Sequence, residues 1–196
     1  IRADEGYDLA TADGEVDALV PERVWQELAR GLMEAHPSRM LAVLRACGAL
    51  AVLLPEVADL YGVPQPPAHH PEVDTGVHVA LALDWAAAHA YALPARFAVL
   101  AHDLGKAGSP VATLPRHHAH EQRSVRLAAR LCERWRVPID CRDAALIAAR
   151  WHGVVHRAHE LRPVTVLDLL SAIDALRRPA RLDALPVQKL PRGARL

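Results

Sequence analysis

The sequence predicts an all-α protein, and three observations carry that expectation. The chain is 52% hydrophobic with only 4% aromatics, and the apolar share is mostly alanine and leucine, residues that lose little side-chain freedom in a helix. Apolar positions recur at three- and four-residue spacing, with few β-branched runs that could alternate in a strand. Pro21 and Pro94 stand where the first turn of a helix needs no amide partner, and Gly48 stands where a helix calls for a left-handed closing residue.

Residues 1–15 are polar and lack an apolar period. The first helix is expected from Pro21, with Val24, Leu28 and Leu32 as its stripe. A second runs from Ser38 as N-cap through Met40, Leu41, Leu44 and Cys47 to Gly48, completing a helical hairpin. Between Tyr61 and Pro71, the prolines Pro64, Pro66, Pro67 and Pro71 preclude regular structure, so a linker or ordered extended loop is expected there. This divides the chain into a helical segment at 1–63, a helical bundle at 64–184 and an irregular tail at 185–196. The bundle is expected to hold five helices, at about 74–89, 94–104, 118–135, 140–152 and 165–177. Asp74 or Thr75 opens the first, Pro94 the second and Asp140 the fourth, while Thr165 and Asp168 form a capping-box-like pair for the fifth.

With 23 basic and 23 acidic residues the formal charge is zero, which excludes nucleic-acid binding by bulk charge alone. Cys47, Cys132 and Cys141 have no CxxC spacing and sit beside apolar residues. They read as buried thiols of a reducing cytoplasm. No stretch has the length of a membrane span or the order of a signal peptide. Ile1 in place of an initiator methionine, and the loss of helical period after Leu185, read as a piece of a longer protein.

Chemistry concentrates in the bundle. His78 lies near the start of one expected helix, and His102 and Asp103 close the next, just before Leu104, Gly105 and Lys106. Asp174 is expected on a helix face shared with Leu167 and Leu170. A carboxylate on an apolar face needs a compensating charge. Two readings follow. Either His78, His102, Asp103 and Asp174 form a mixed nitrogen and oxygen site for a first-row transition metal or Mg²⁺, or the histidines donate to backbone carbonyls and Asp174 pairs with an arginine. Arg126, Arg130 and Arg134 recur every four residues, with Arg123 three before the first. That stripe is either a solvated face or a contact for RNA phosphates.

At these residues a resemblance appears. His78, the segment AHDLGK at 101–106 and Asp174 are similar to the H…HD…D signature of HD-domain metal-dependent phosphohydrolases. The stretches at 70–78, 97–106, 115–124, 136–143 and 171–179 resemble the HD domain of bacterial multifunctional CCA proteins, and 14–34 and 37–50 resemble the helical neck of that family. The resemblance implies a neck followed by an HD domain, without the family's nucleotidyltransferase head. It implies hydrolysis of 2′,3′-cyclic phosphodiesters, 2′-nucleotides and phosphomonoesters with Ni²⁺, Mg²⁺ or Mn²⁺, and the tRNA 3′ end as partner. His78, His102, Asp103 and Asp174 would be metal ligands, and His102, Asp103 and Lys106 catalytic. His120 and His152 would hold a second metal or the substrate phosphate. A free-standing HD nucleotidase and a non-catalytic tRNA-docking or dimerisation piece are the alternatives. Without the head, the Val24, Leu28 and Leu32 stripe is expected to stay partly bare and to favour homo-oligomers.

Overall fold

The computed structural model describes residues 19–67, 71–155, 157 and 160–184, and among them it is all-α. Nine α-helices follow in order: α1 (Pro21–Met33), α2 (Pro37–Ala46), α3 (Ala49–Leu53), α4 (Pro55–Ala58), α5 (Thr75–Ala88), α6 (Leu93–Ala101), α7 (His120–Arg134), α8 (Ile139–Val155) and α9 (Pro163–Ala172). The extended pairing among the described residues is a single bridge between Pro64 and Asp74.

α6 is the axis of the fold. Every side chain from Arg96 to Leu104 is buried, polar ones included, the pattern of a helix enclosed on all sides. It packs against α8, α5 and α1. One continuous apolar cluster joins Trp25, Leu28 and Leu32 of α1 to Leu83, Phe97, Leu100, Leu131 and Trp135. It therefore crosses the expected boundary after residue 63. Trp25 meets Phe97 edge to face, with ring centroids 5.2 Å apart, a favoured aromatic geometry. The stripe of α1 is thus covered by α6, with Leu28 and Leu32 at 5% and 0% exposure. Val24 is half-buried, so the partial exposure expected of the stripe is confined to that residue.

Polar ties reinforce this junction. Arg96 donates from Nε to the Tyr91 carbonyl at 2.7 Å and from one terminal nitrogen to the Leu32 and Glu34 carbonyls, each at 2.9 Å. The α1 C-terminus is therefore closed by a guanidinium from α6. Ser38 is not the cap of α2, which begins one residue earlier at Pro37 after His36. Instead its amide and hydroxyl donate to Asp84 of α5, at 3.0 and 2.6 Å, so an acidic side chain from another helix caps this N-terminus. Gly48 takes the left-handed conformation expected of it, with φ 77°. The short helices α3 and α4 go beyond the hairpin that was expected.

The fifth bundle helix differs from expectation. α9 starts at Pro163, with Arg162 before it and no side-chain cap, and ends at Ala172 rather than near Arg177. Asp174 adopts a left-handed φ of 55°. Its amide bonds to the Ser171 carbonyl and that of Ala175 to the Leu170 carbonyl, the paired closing bonds of a Schellman turn. The buried face is Leu169 and Ile173, while Leu167 is 57% exposed, so Asp174 does not share an apolar helix face with Leu167 and Leu170.

Two predictions follow from this packing. Arg96→Ala removes a buried donor from three carbonyls, each worth about 1–3 kcal/mol when left unpaired, so urea unfolding should show a loss of about 3 kcal/mol. Burial pushes the Cys132 and Cys141 thiols up to about 11, against about 8.5 for a free thiol. The folded state then holds more protons than the unfolded chain between those values, so the thiols' contribution to stability should be fully present below about pH 8 and be lost toward pH 11. The fall should shrink in a Cys132→Ala/Cys141→Ala variant, read from urea midpoints.

Candidate metal centre

Four helix ends converge on Asp103. Asp74 caps α5 by accepting from the Val77 amide at 2.9 Å, which places His78 one turn in. His102 is the residue that closes α6, and Asp103 (φ −111°, ψ 8°) leaves the helix for the 3₁₀ turn Leu104–Lys106. That turn lies hard against α7: a Cβ on Gly105 would come within 2.3 Å of the His120 carbonyl oxygen, so only glycine fits there. His120 is the first residue of α7, after Ala119 at φ 53°, and His152 lies in the last turn and a half of α8.

Asp103 is 1% exposed, and His78, His102, Lys106 and His152 are each between 6% and 7%. Its Oδ2 lies 2.9 Å from His102 Nε2 and 2.7 Å from Lys106 Nζ. The other oxygen, Oδ1, lies 3.4 Å from His120 Nε2 and 3.3 Å from His152 Nε2, and those two nitrogens are 3.3 Å apart. Two sets of potential ligand atoms result, each gathered within 4.8 Å: His78, His102 and Asp103, and Asp103, His120 and His152. Asp103 belongs to both.

The hydrogen bonds behind the histidines set what these atoms offer. Nδ1 of His102, His120 and His152 donates to the carbonyls of Val99, His117 and Ala148, at 2.7, 2.7 and 2.9 Å. In a neutral imidazole this puts the lone pair on Nε2. Lone pairs on His120 and His152 then face the Asp103 Oδ1, which is buried and has no hydrogen-bond donor. Acceptors facing one another in a buried pocket repel unless a positive charge lies between them, so the donor set fits a divalent cation with mixed nitrogen and oxygen preference. Burial pushes the Asp103 carboxyl upward, but His102 and the Lys106 ammonium beside it more than reverse this and hold it well below the usual carboxylate range. Burial also keeps His102 below its ordinary value, despite Asp103 beside it. For His120 the balance is opposite: burial lowers it, and the Asp103 carboxylate beside it raises it further than that.

Of the residues expected at the site, His78, His102, Asp103, Lys106, His120 and His152 come together. Asp174 does not join them: it lies in the turn after α9, its Oδ2 3.7 Å from Arg178 Nε, and is in neither ligand set among the described residues. The arginine stripe of α7 divides. Arg123 donates to the Gly105 and His118 carbonyls and to Ser109 Oγ, each at 2.9 Å, and Arg134 grips Glu56 at 3.0 and 2.7 Å. Arg126 and Arg130 are exposed. Two site residues were not foreseen. Glu72 accepts from His78 Nδ1 at 2.6 Å, and the wholly buried Gln65 accepts from Lys106 Nζ. Both come from the proline-rich segment, where no periodicity marks which side chains turn inward.

A helical bundle that gathers a histidine, a His-Asp pair and further histidines around one buried carboxylate has the layout of an HD-type domain with a candidate metal centre. Residues 75–178 match the HD domain family, and the chain belongs to that family. Residues 10–61 match the probable RNA and SrmB-binding site of polymerase A. The chain is 61% identical over 171 residues to the multifunctional CCA protein of Nitrosospira multiformis, covering 87% of this chain and 41% of that protein. Against the multifunctional CCA protein of Burkholderia mallei (strain SAVP1) it is 61% identical over 184 residues, 93% of this chain and 45% of the relative. With that of Burkholderia lata it shares 64% over 168 residues, 86% and 41% of the two chains. The chain thus spans less than half the length of these relatives and corresponds to their neck plus HD part.

Asp103→Asn leaves the Lys106 charge buried beside a neutral amide. With EDTA present to exclude metal, the substitution should cost about 3 kcal/mol in urea unfolding, and Asp103→Asn/Lys106→Met should recover more than half of that loss.

Proposed function

We propose that this chain is the neck and HD part of a CCA-adding tRNA nucleotidyltransferase, and that its HD domain is a metal-dependent phosphohydrolase. Its substrates are 2′,3′-cyclic phosphodiesters, 2′-nucleotides and phosphomonoesters, the forms found at RNA ends. The observation that carries this reading is Asp103, shared between two ligand sets of buried histidines. A divalent ion held there, Ni²⁺, Mg²⁺ or Mn²⁺, would polarise a phosphoryl oxygen and lower the pKa of a bound water toward neutrality.

The side chains have separate tasks in this proposal. His78, His102 and Asp103 hold an ion, and His120 with His152 presents either a second ion position or donors for the substrate phosphate. Lys106 keeps Asp103 ionised and offers an ammonium for a phosphoryl oxygen. Burial of the set keeps bulk water away, so these charges act at full strength. Arg126 and Arg130, exposed on α7, are the arginines of the stripe available to tRNA phosphates, and the neck supplies the RNA-binding similarity. CCA addition itself is assigned to the longer protein that the relatives represent. Among the described residues no helix is long and apolar enough to cross a membrane.

The test is hydrolysis of 2′,3′-cyclic AMP by the metal-stripped chain, supplied in turn with Ni²⁺, Mn²⁺ or Mg²⁺, beside a His102→Ala/Asp103→Ala variant. Turnover should appear only with metal and fall at least 100-fold in the variant. A folded, metal-loaded chain with no turnover would favour a tRNA-docking role instead.

A further inference from the structure

The four site histidines are not held alike. Three give their Nδ1 proton to neutral backbone carbonyls. His78 gives its proton to a carboxylate, Glu72 Oε1, at 2.6 Å, and the two side chains are only 9% and 5% exposed. A charged acceptor draws the Nδ1 proton more strongly, fixes the tautomer with the lone pair on Nε2 and makes that nitrogen a better ligand. So little water reaches the pair that the Glu72 charge is weakly screened.

That charge has a specific counterpart. Lys106 Nζ lies 2.7 Å from Asp103 Oδ2, the same oxygen that faces His102. An ammonium there opposes a cation on the His78 side of Asp103. On the other side, the nearby additional carboxylate is Glu121, whose Oε2 is 3.7 Å from His120 Nδ1 and whose side chain is 34% exposed, so its charge is both farther and better screened.

We infer that Glu72 is a positioning residue for the ion position formed by His78, His102 and Asp103, orienting His78 and supplying the negative charge that offsets Lys106. This rests on the divalent-ion reading of the site. Glu72 is held in place to do so by its segment: the Gln65 amide bonds to the Val73 carbonyl at 2.6 Å and the Thr75 amide to the Val63 carbonyl at 2.9 Å. Residues 63–65 are thereby tied to residues 73–75 at the start of α5.

Calorimetric titration of the metal-stripped full chain with Mn²⁺ tests the inference. Binding steps are assigned first, by which one His78→Ala removes and which one His120→Ala removes. Glu72→Gln, which keeps an acceptor oxygen of the same reach and so preserves the fold, should weaken the His78-dependent step at least tenfold and leave the His120-dependent step within twofold. Adding Lys106→Met to Glu72→Gln should restore much of the lost affinity, an effect a purely structural glutamate would not produce. Circular dichroism confirms that each variant is folded. A His78-dependent step unchanged in Glu72→Gln, or both steps weakened equally, overturns the inference while leaving metal binding intact. A wild-type chain that takes up no Mn²⁺ overturns both.

Discussion

The structure is organised around a negative charge that has been taken out of water. A carboxylate as deeply buried as Asp103, at 1% exposure, survives only where positive charge and donors replace its hydration. Here four helix ends and a 3₁₀ turn are spent on that task. Lys106 follows Asp103 by three residues and folds back onto it, and the turn that returns it lies so close to α7 that a side chain at Gly105 would collide with that helix. The packing of α7 against the end of α6 and the electrostatics of the site are therefore one constraint.

A second consequence concerns the neck. Because α6 is buried on every side, the helix that ends in His102 is clamped along its length by α1, α5 and α8. Arg96 joins the last carbonyls of α1 to this helix, and Trp25 abuts Phe97. The neck is thus not an appendage hung on a linker. α1 forms part of the packing around the helix that ends in His102, and the described part of the RNA-binding similarity, residues 19–61, packs beside the HD fold.

Much of this could be read from the sequence, for physical reasons that can be named. Helices with strong apolar spacing or a clear opening residue, such as α1, α5 and α7, fall close to where expected, because burying one stripe leaves little choice of phase. His78, His102 and Asp103 could be picked out because they stand at expected helix ends, where side chains from different helices meet. The errors arise where tertiary contacts override local signals. Ser38 looks like a cap but serves as a donor to Asp84. α9 stops early because Ile173 turns into the core and Asp174 closes a Schellman turn, which periodicity alone does not reveal. Arg123 and Arg134 read as part of a solvated or RNA-contacting stripe until their carbonyl and carboxylate partners from other elements are seen. Glu72 and Gln65 were hidden because an extended loop has no repeat to show which side chains face inward.

Gln65 and Glu72, on either side of the prolines Pro66 and Pro67, both reach the site. Family similarity for the HD part begins at residue 75, after both Gln65 and Glu72, yet Gln65 meets Lys106 and Glu72 meets His78 inside the site. The smallest piece of this fold that could be moved intact to another protein is therefore larger than the recognisable domain. Recombination that respected only the domain's sequence borders would carry the clustered histidines across and leave the hydrogen-bond partners of His78 and Lys106 behind. The proline-rich connection, which looks dispensable by composition, belongs to the inheritable unit of the site.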